Sequence, residues 1–210
     1  MAETIVYLLR HGATAANREV PYRLLGRSLD LPLDEEGAEQ ARRAGKALRR
    51  HRLAAVYTSP MLRAVETAAR VAWPHGLEPV VVEGVIEADL GRWEGLTWDQ
   101  ARAADPEHHE AFLAHPGTVP YPGGESFRDA QDRMVPTIAE LVSRHPGERI
   151  AVVSHNVTNR AYLAGLMGMP IDRAREIRQA NGGISVIRYQ PPAAAVVETV
   201  NAAFHLARPD

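Results

Sequence analysis

The chain has 210 residues, 45% hydrophobic and 24% charged, a composition that fits one globular domain with a sizeable core and excludes disorder throughout. A formal net charge of -2 gives no general attraction to nucleic acid or to an anionic membrane, so any bound anion must be held by local charge. The absence of cysteine excludes disulfides, thiolate nucleophiles and thiolate metal sites.

A short apolar run, residues 4–9, reads as a strand that ends on Arg10 and His11. It has neither the basic start nor the longer apolar core of a signal peptide, and no run reaches the ~20 residues of a membrane span. A cytoplasmic protein with no membrane partner is therefore expected. Helical spacing follows at 35–51. A strand at 55–58 then leads through Ser59 and Pro60 into a helix at 61–73, whose first turn carries Arg63. A guanidinium at a helix start adds its donors to the positive end of the helix, which suits a phosphate group. The plain alternative is a surface arginine paired with Glu66.

After a strand at 79–83, residues 84–124 are rich in Trp, Pro, Gly and His and hold only short helical patterns. They read as an insertion over one edge of the sheet, a kind of segment that often carries function. Within it Glu107, His108, His109 and Glu110, with His115, raise the option of a metal hydrolase. Adjacent histidines on a helix point in different directions, so a solvated helix turn is the preferred reading and no metal is expected. In the helix expected at 125–144, Phe127, Ala130, Met134, Ile138 and Leu141 form one buried stripe, with a kink at Pro136. A nearly all-apolar strand at 149–154 ends on His155, a helix follows at 157–167, and strands at 184–189 and 195–200 flank a turn at Pro191-Pro192.

Apolar strands alternating with helices need cover on both faces. They predict an α/β fold, a three-layer α/β/α sandwich with a mostly parallel central sheet and a single domain over 1–210. His11 and His155 would both emerge at the carboxyl end of a buried strand, the edge where open α/β sheets bind ligands. Either histidine alone reads as an ordinary strand-end residue, but the matched pair points to a site. Gly12 beside the first would let a ligand approach the backbone.

Five blocks in order then carry a resemblance. They are Arg10-His11-Gly12 with Thr14 and Asn17; Arg23, Gly26, Asp30, Pro32, Leu33, Gly37, Gln40 and Ala41; Thr58 through Ala64 with Thr67 and Ala68; Glu87, Gly91, Trp93, Glu94 and Gly95; and Val153-Ser154-His155. Together they resemble the histidine phosphatase, or phosphoglycerate mutase-like, superfamily from about residue 4 to residue 189. The resemblance implies metal-independent hydrolysis of a phosphate monoester without a cofactor. His11 would be the nucleophile, transiently phosphorylated; Arg10, Arg63 and His155 would surround the transferring group; Asn17 would add a neutral donor; and Glu87 would protonate the leaving oxygen, with Asp89 and Glu94 as nearby rivals.

Ala13, Leu25 and Asn156 depart from the family pattern, standing where an acidic residue, a glutamine and a glycine are common. The segment Leu96-Thr97-Trp98-Asp99-Gln100-Ala101 lacks the arginine- and tyrosine-containing insertion of the mutases, which favours water as acceptor over a cofactor-dependent phosphoglycerate mutase. A non-catalytic phosphate- or protein-binding module of the same fold is the other alternative. The expected partner is a small phosphorylated metabolite, with no nucleic acid. Trp93, Trp98, Phe112 and Tyr121 are candidates for an apolar wall, and the turn Gly123-Gly124-Glu125-Ser126 for backbone donors to a second polar group. Oligomeric state is not legible, a homodimer being one option.

Overall fold

The structure is a computed structural model that describes residues 3–190 and 195–207; the turn at Pro191-Pro192 lies outside the described residues. Four strands run parallel: β1 (Thr4–Arg10), β2 (Ala55–Thr58), β3 (Val80–Val81) and β4 (Arg149–Ser154). Two more, β5 (Ile184–Tyr189) and β6 (Ala195–Ala202), add an antiparallel edge, in the sheet order β3-β2-β4-β1-β5-β6. The strand expected at 79–83 shortens to two half-exposed residues at the sheet edge.

Alternation of side chains along the strands divides the core in two. Val6, Leu8, Ile150 and Val152 face one buried cluster, and Tyr7, Leu9, Ala151 and Val153 face another. Helices α2 (Glu35–Leu48) and α3 (Leu62–Ala72) supply the second cluster, while α6 (Phe127–Arg144) and α7 (Asn156–Leu166) supply the first. The result is a helical layer on each face of the sheet, as the apolar strands require.

Helix boundaries follow capping chemistry. The oxygen Oδ1 of Asp34 accepts from the Gly37 N–H at 2.7 Å and starts α2. A reciprocal box between Ser126 and Asp129 starts α6 two residues later than spacing alone predicts. The expected stripe of α6 is fully buried, and the helix continues as one element through Pro136.

Residues 84–124 hold more regular structure than their composition predicts: α4 (Trp98–Ala104) and α5 (Pro106–Ala114), preceded by single 3-10 turns at Glu83–Val85 and Gly91–Trp93. A four-residue helix α1 (Ala15–Arg18) follows the loop that carries His11. Among the described residues no helix is long and apolar enough to cross a membrane.

Candidate active site

Strand pairing places the two histidines side by side. Parallel β1 and β4 pair Arg10 with Ser154, so His11 and His155 are the next residue on adjacent strands, with ring centroids 5.1 Å apart. The His11 N–H donates to the Ser154 carbonyl and the Ser59 N–H to that of Val153, which brings the end of β2 to the same edge. The loop at 180–183 pins the first histidine from the other side: the Gly182 N–H and the Asn181 side-chain amide donate to the His11 carbonyl.

The imidazole of His11 donates from Nδ1 to the Gly12 carbonyl at 2.6 Å, which leaves the Nε2 lone pair free. Burial, with the Arg63 and Arg10 guanidinium groups beside it, holds this imidazole well below the usual histidine range, so it is neutral as a nucleophile requires. His155 is depressed in the same way, by burial first and then by Arg63. Its Nε2 lies 2.7 Å from the Ser59 hydroxyl oxygen, which also accepts from the Met61 N–H. With Ser59 donating its proton to Nε2, the imidazole carries its own proton on Nδ1, a buried atom with no partner.

Two guanidinium groups flank the pair. Arg63 is fully buried and does not pair with Glu66; it donates to the Gly26 and Leu29 carbonyls and keeps its Nε without a partner. Arg10 donates to the Gln179 carbonyl at 2.7 Å, and its Nε is likewise unpartnered. Burial lowers Arg10 to about 10, which leaves it charged at neutral pH. Each fork carries five N–H groups, so donors remain on both after these contacts. Asn17 accepts with Oδ1 from Thr14 and from Asn181, which turns its amide nitrogen to other uses.

Of the three carboxylates near residue 90, only Glu87 lines the cleft. Asp89 pairs with Arg27 and accepts from the Gly91 N–H, and Glu94 anchors the loop below Gly26 by accepting from Ser28 and Leu29. The carboxylate of Glu87 faces the start of α7: it accepts from the N–H groups of Asn156, Val157 and Thr158, from the Thr158 hydroxyl and from the Ala88 N–H. In this arrangement it is an acceptor at a helix N-terminus, where negative charge is favoured. To act as an acid it must first take a proton in place of one of those donors.

The cleft above Arg10, His11 and Glu87 has walls from several elements, including Tyr22, Leu25, Trp98, Tyr121, Arg160 and Arg175. The aromatic wall is half as large as expected. Trp93 and Phe112 are buried in a cluster, 5.3 Å between centroids, while Trp98 and Tyr121 reach the cleft. Arg175, Tyr22 and Asn181 carried no sequence signal, because nothing local separates them from other polar residues of their elements. Arg160 alone had a usable cue, standing one helical turn after Asn156 on the face that leaves His155.

Two sequence readings need correction. Gly12 makes room for protein and not for ligand: a Cβ there would meet the Gly37 carbonyl oxygen at 2.3 Å. The turn at 123–126 spends its backbone donors internally, Gly124 on the Tyr121 carbonyl, Glu125 on that of Asp89, and Ser126 on the Asp129 side chain. Glu107, Glu110 and His115 are exposed, while the half-buried His108 and His109 rings rest against Trp93 at 5.7 and 5.6 Å.

Comparison with known proteins follows the same lines. Residues 6–202 match the histidine phosphatase superfamily (branch 1). Phosphoserine phosphatase 1 of Hydrogenobacter thermophilus is 31% identical over 183 residues, 87% of this chain and 85% of the relative. A metal-independent phosphoserine phosphatase of Arabidopsis thaliana is 33% identical over 161 residues, 75% of this chain and 66% of the relative. Among solved structures, Bacillus stearothermophilus YhfR superposes with a TM-score of 0.89 at 33% identity, covering 97% of this chain and 100% of that one.

Proposed function

The chain belongs to the histidine phosphatase superfamily, and on that premise we propose that it hydrolyses a small phosphomonoester without a metal, through a phosphohistidine on His11. The observation that carries this reading is the neutral imidazole of His11, fixed through Nδ1 with Nε2 free, amid unspent donors of Arg10 and Arg63 and beside the unpartnered Nδ1 of His155.

In this mechanism the Nε2 lone pair attacks phosphorus as the ester P–O bond breaks, and the leaving oxygen takes a proton from Glu87. Arg10, Arg63, Asn17 and His155 hold the equatorial oxygens, the charge neutralisation that a divalent cation supplies in other phosphoryl transfers. Water then attacks the phosphohistidine, gives a proton to Glu87, and the P–N bond breaks to release phosphate and restore His11. The names of the H. thermophilus and A. thaliana relatives support a phosphatase, and the latter supports independence from metal.

Hydrolysis of an aryl phosphate in EDTA at pH 6 tests the reading. Wild type is expected to turn over, and His11→Ala to lose at least ~10³-fold in kcat, as removal of a nucleophile does elsewhere. Full activity in His11→Ala, or a strict metal requirement, overturns it. Rapid isomerisation of phosphoglycerate overturns water as the acceptor.

A further inference from the structure

The cleft holds more positive charge than a phosphoryl group needs. Arg10 and Arg63 flank the two histidines, and Arg160 and Arg175 line the cleft beyond them, against Glu87 as the one carboxylate on its walls. Neither Arg160 nor Arg175 forms an ion pair among the described residues, although Arg173, on the same turn as Arg175, is paired with Glu176. Arg23 also reaches the cleft, but Glu19 neutralises it at 2.7 Å.

Both unpaired arginines are held in place by contacts that leave their charge unanswered. Arg160 on α7 donates from Nε to the Ile177 carbonyl at 2.7 Å. Arg175, at the end of the 3-10 turn Ile171–Glu176, stacks over the Trp98 ring at 5.1 Å and over Phe112 at 5.9 Å. Burial lowers Arg160 and Arg175 lowers it a little further, while Tyr121, Glu87 and Tyr22 favour its charge. Between the two arginines stand hydroxyl groups and no acid. Tyr22 accepts from the Trp98 indole N–H at 2.7 Å and keeps its own proton to donate, and the Tyr121 hydroxyl has no hydrogen-bond partner among the described residues. With a dianionic phosphoryl group held between Arg10 and Arg63 and the Glu87 carboxylate acting on Arg160, the four arginines still exceed the negative charges by one.

We infer that Arg160 and Arg175, with the Tyr22 and Tyr121 hydroxyls, form a second anion subsite that takes a carboxylate carried on the phosphomonoester substrate. The inference rests on the phosphatase reading above. One carboxylate answers the surplus positive charge beyond the phosphoryl pocket. This suits a phosphorylated hydroxy acid or amino acid better than a neutral sugar phosphate.

The test compares phosphoserine with phosphoethanolamine, which differ by one carboxylate, and adds glycerol 1-phosphate as a neutral-chain ester, all in EDTA. Wild type is expected to favour phosphoserine over phosphoethanolamine by at least tenfold in kcat/KM, the scale of a charge-assisted contact. Arg175→Met keeps the stacking length on Trp98 and is expected to lower that ratio about tenfold. Arg160→Met lowers it by a similar factor, and Arg175→Lys restores most of it. A wild-type ratio within twofold of unity, or a ratio that neither methionine variant moves, overturns the subsite while hydrolysis of any of the three esters leaves the phosphatase reading standing. Hydrolysis of none of them, with the aryl phosphate still turned over, overturns the subsite alone.

Discussion

At the sheet edge the positions of His11 and His155 follow from backbone pairing, whereas across the cleft the wall from residue 84 to residue 124 is held by side chains. The first region is specified by a register: β1 and β4 align Arg10 with Ser154, and the histidines are then neighbours without further instruction. The second depends on particular carboxylates and turns. Asp89, Glu94 and Glu125 each accept backbone N–H groups or guanidinium donors that tie one loop to the next. Gly91, at φ +50°, leaves no space for a side chain against the Pro122 carbonyl, where a Cβ would stand at 2.2 Å. A register tolerates many sequences of suitable hydrophobicity, while a net of specific acceptors does not. The chemistry is thus built on the tolerant part of the fold and the access to it on the exacting part.

Glu87 joins the two regions and offers the largest test of that contrast. Glu87→Gln keeps the shape and some of the acceptor capacity at the start of α7, so loss of the proton itself becomes visible. The expected result is a fall of ~10²–10³-fold in kcat/KM for an alkyl phosphate and under ~10-fold for an aryl phosphate with a good leaving group. Equal losses on both would make Glu87 a helix cap alone and move the acid elsewhere.

The sheet edge has one exacting point of its own, the contact between Gly12 and Gly37. A Cβ on Gly37 would stand 1.9 Å from the Ala13 carbonyl oxygen, so Gly37→Ala must push α2 away from the loop that carries His11. A loss of ~3 kcal/mol is expected, read as a drop of roughly 6–12 °C in Tm for a domain of this size. A drop below 2 °C would show that this edge is as forgiving as the strands around it.

Ser59→Ala gives the smallest effect. It removes the hydroxyl that assigns the proton of His155 while leaving packing nearly intact, and kcat should fall about tenfold with KM unchanged, equivalent to ~1.4 kcal/mol. A rise in KM with kcat unchanged would mean that Ser59 serves substrate binding and not the proton on His155.

The same contrast explains what the sequence revealed. His11, His155 and Arg63 were legible because each ends or follows an apolar run whose period announces a strand and whose successor announces a helix. Asn17 was legible only through the family pattern, and so was Glu87, whose five donors come from its own neighbour and from a helix some 70 residues away. Helices α4 and α5 were hidden by length, since seven and nine residues give too few turns for a clear stripe. Arg175 was hidden for a different reason: its partners are the faces of Trp98 and Phe112, and no spacing rule connects a 3-10 turn to an aromatic pair on α4 and α5, some 60 to 80 residues earlier.

Helix α7 has a consequence for how such a protein can change. His155 precedes its first residue, Glu87 is tethered to its first three N–H groups, and Arg160 is its fifth residue. The proposed hydrogen-bond donor to the phosphoryl group, the proposed proton carrier and one half of the proposed second subsite are therefore tied to a single helix, and displacing one displaces all three. Arg175 sits on a turn that is itself tied to that helix, since the Ile177 carbonyl that ends the turn accepts from Arg160 and its apolar residues share the core with α7. A change of substrate preference made by rewriting the turn is then also felt at the helix.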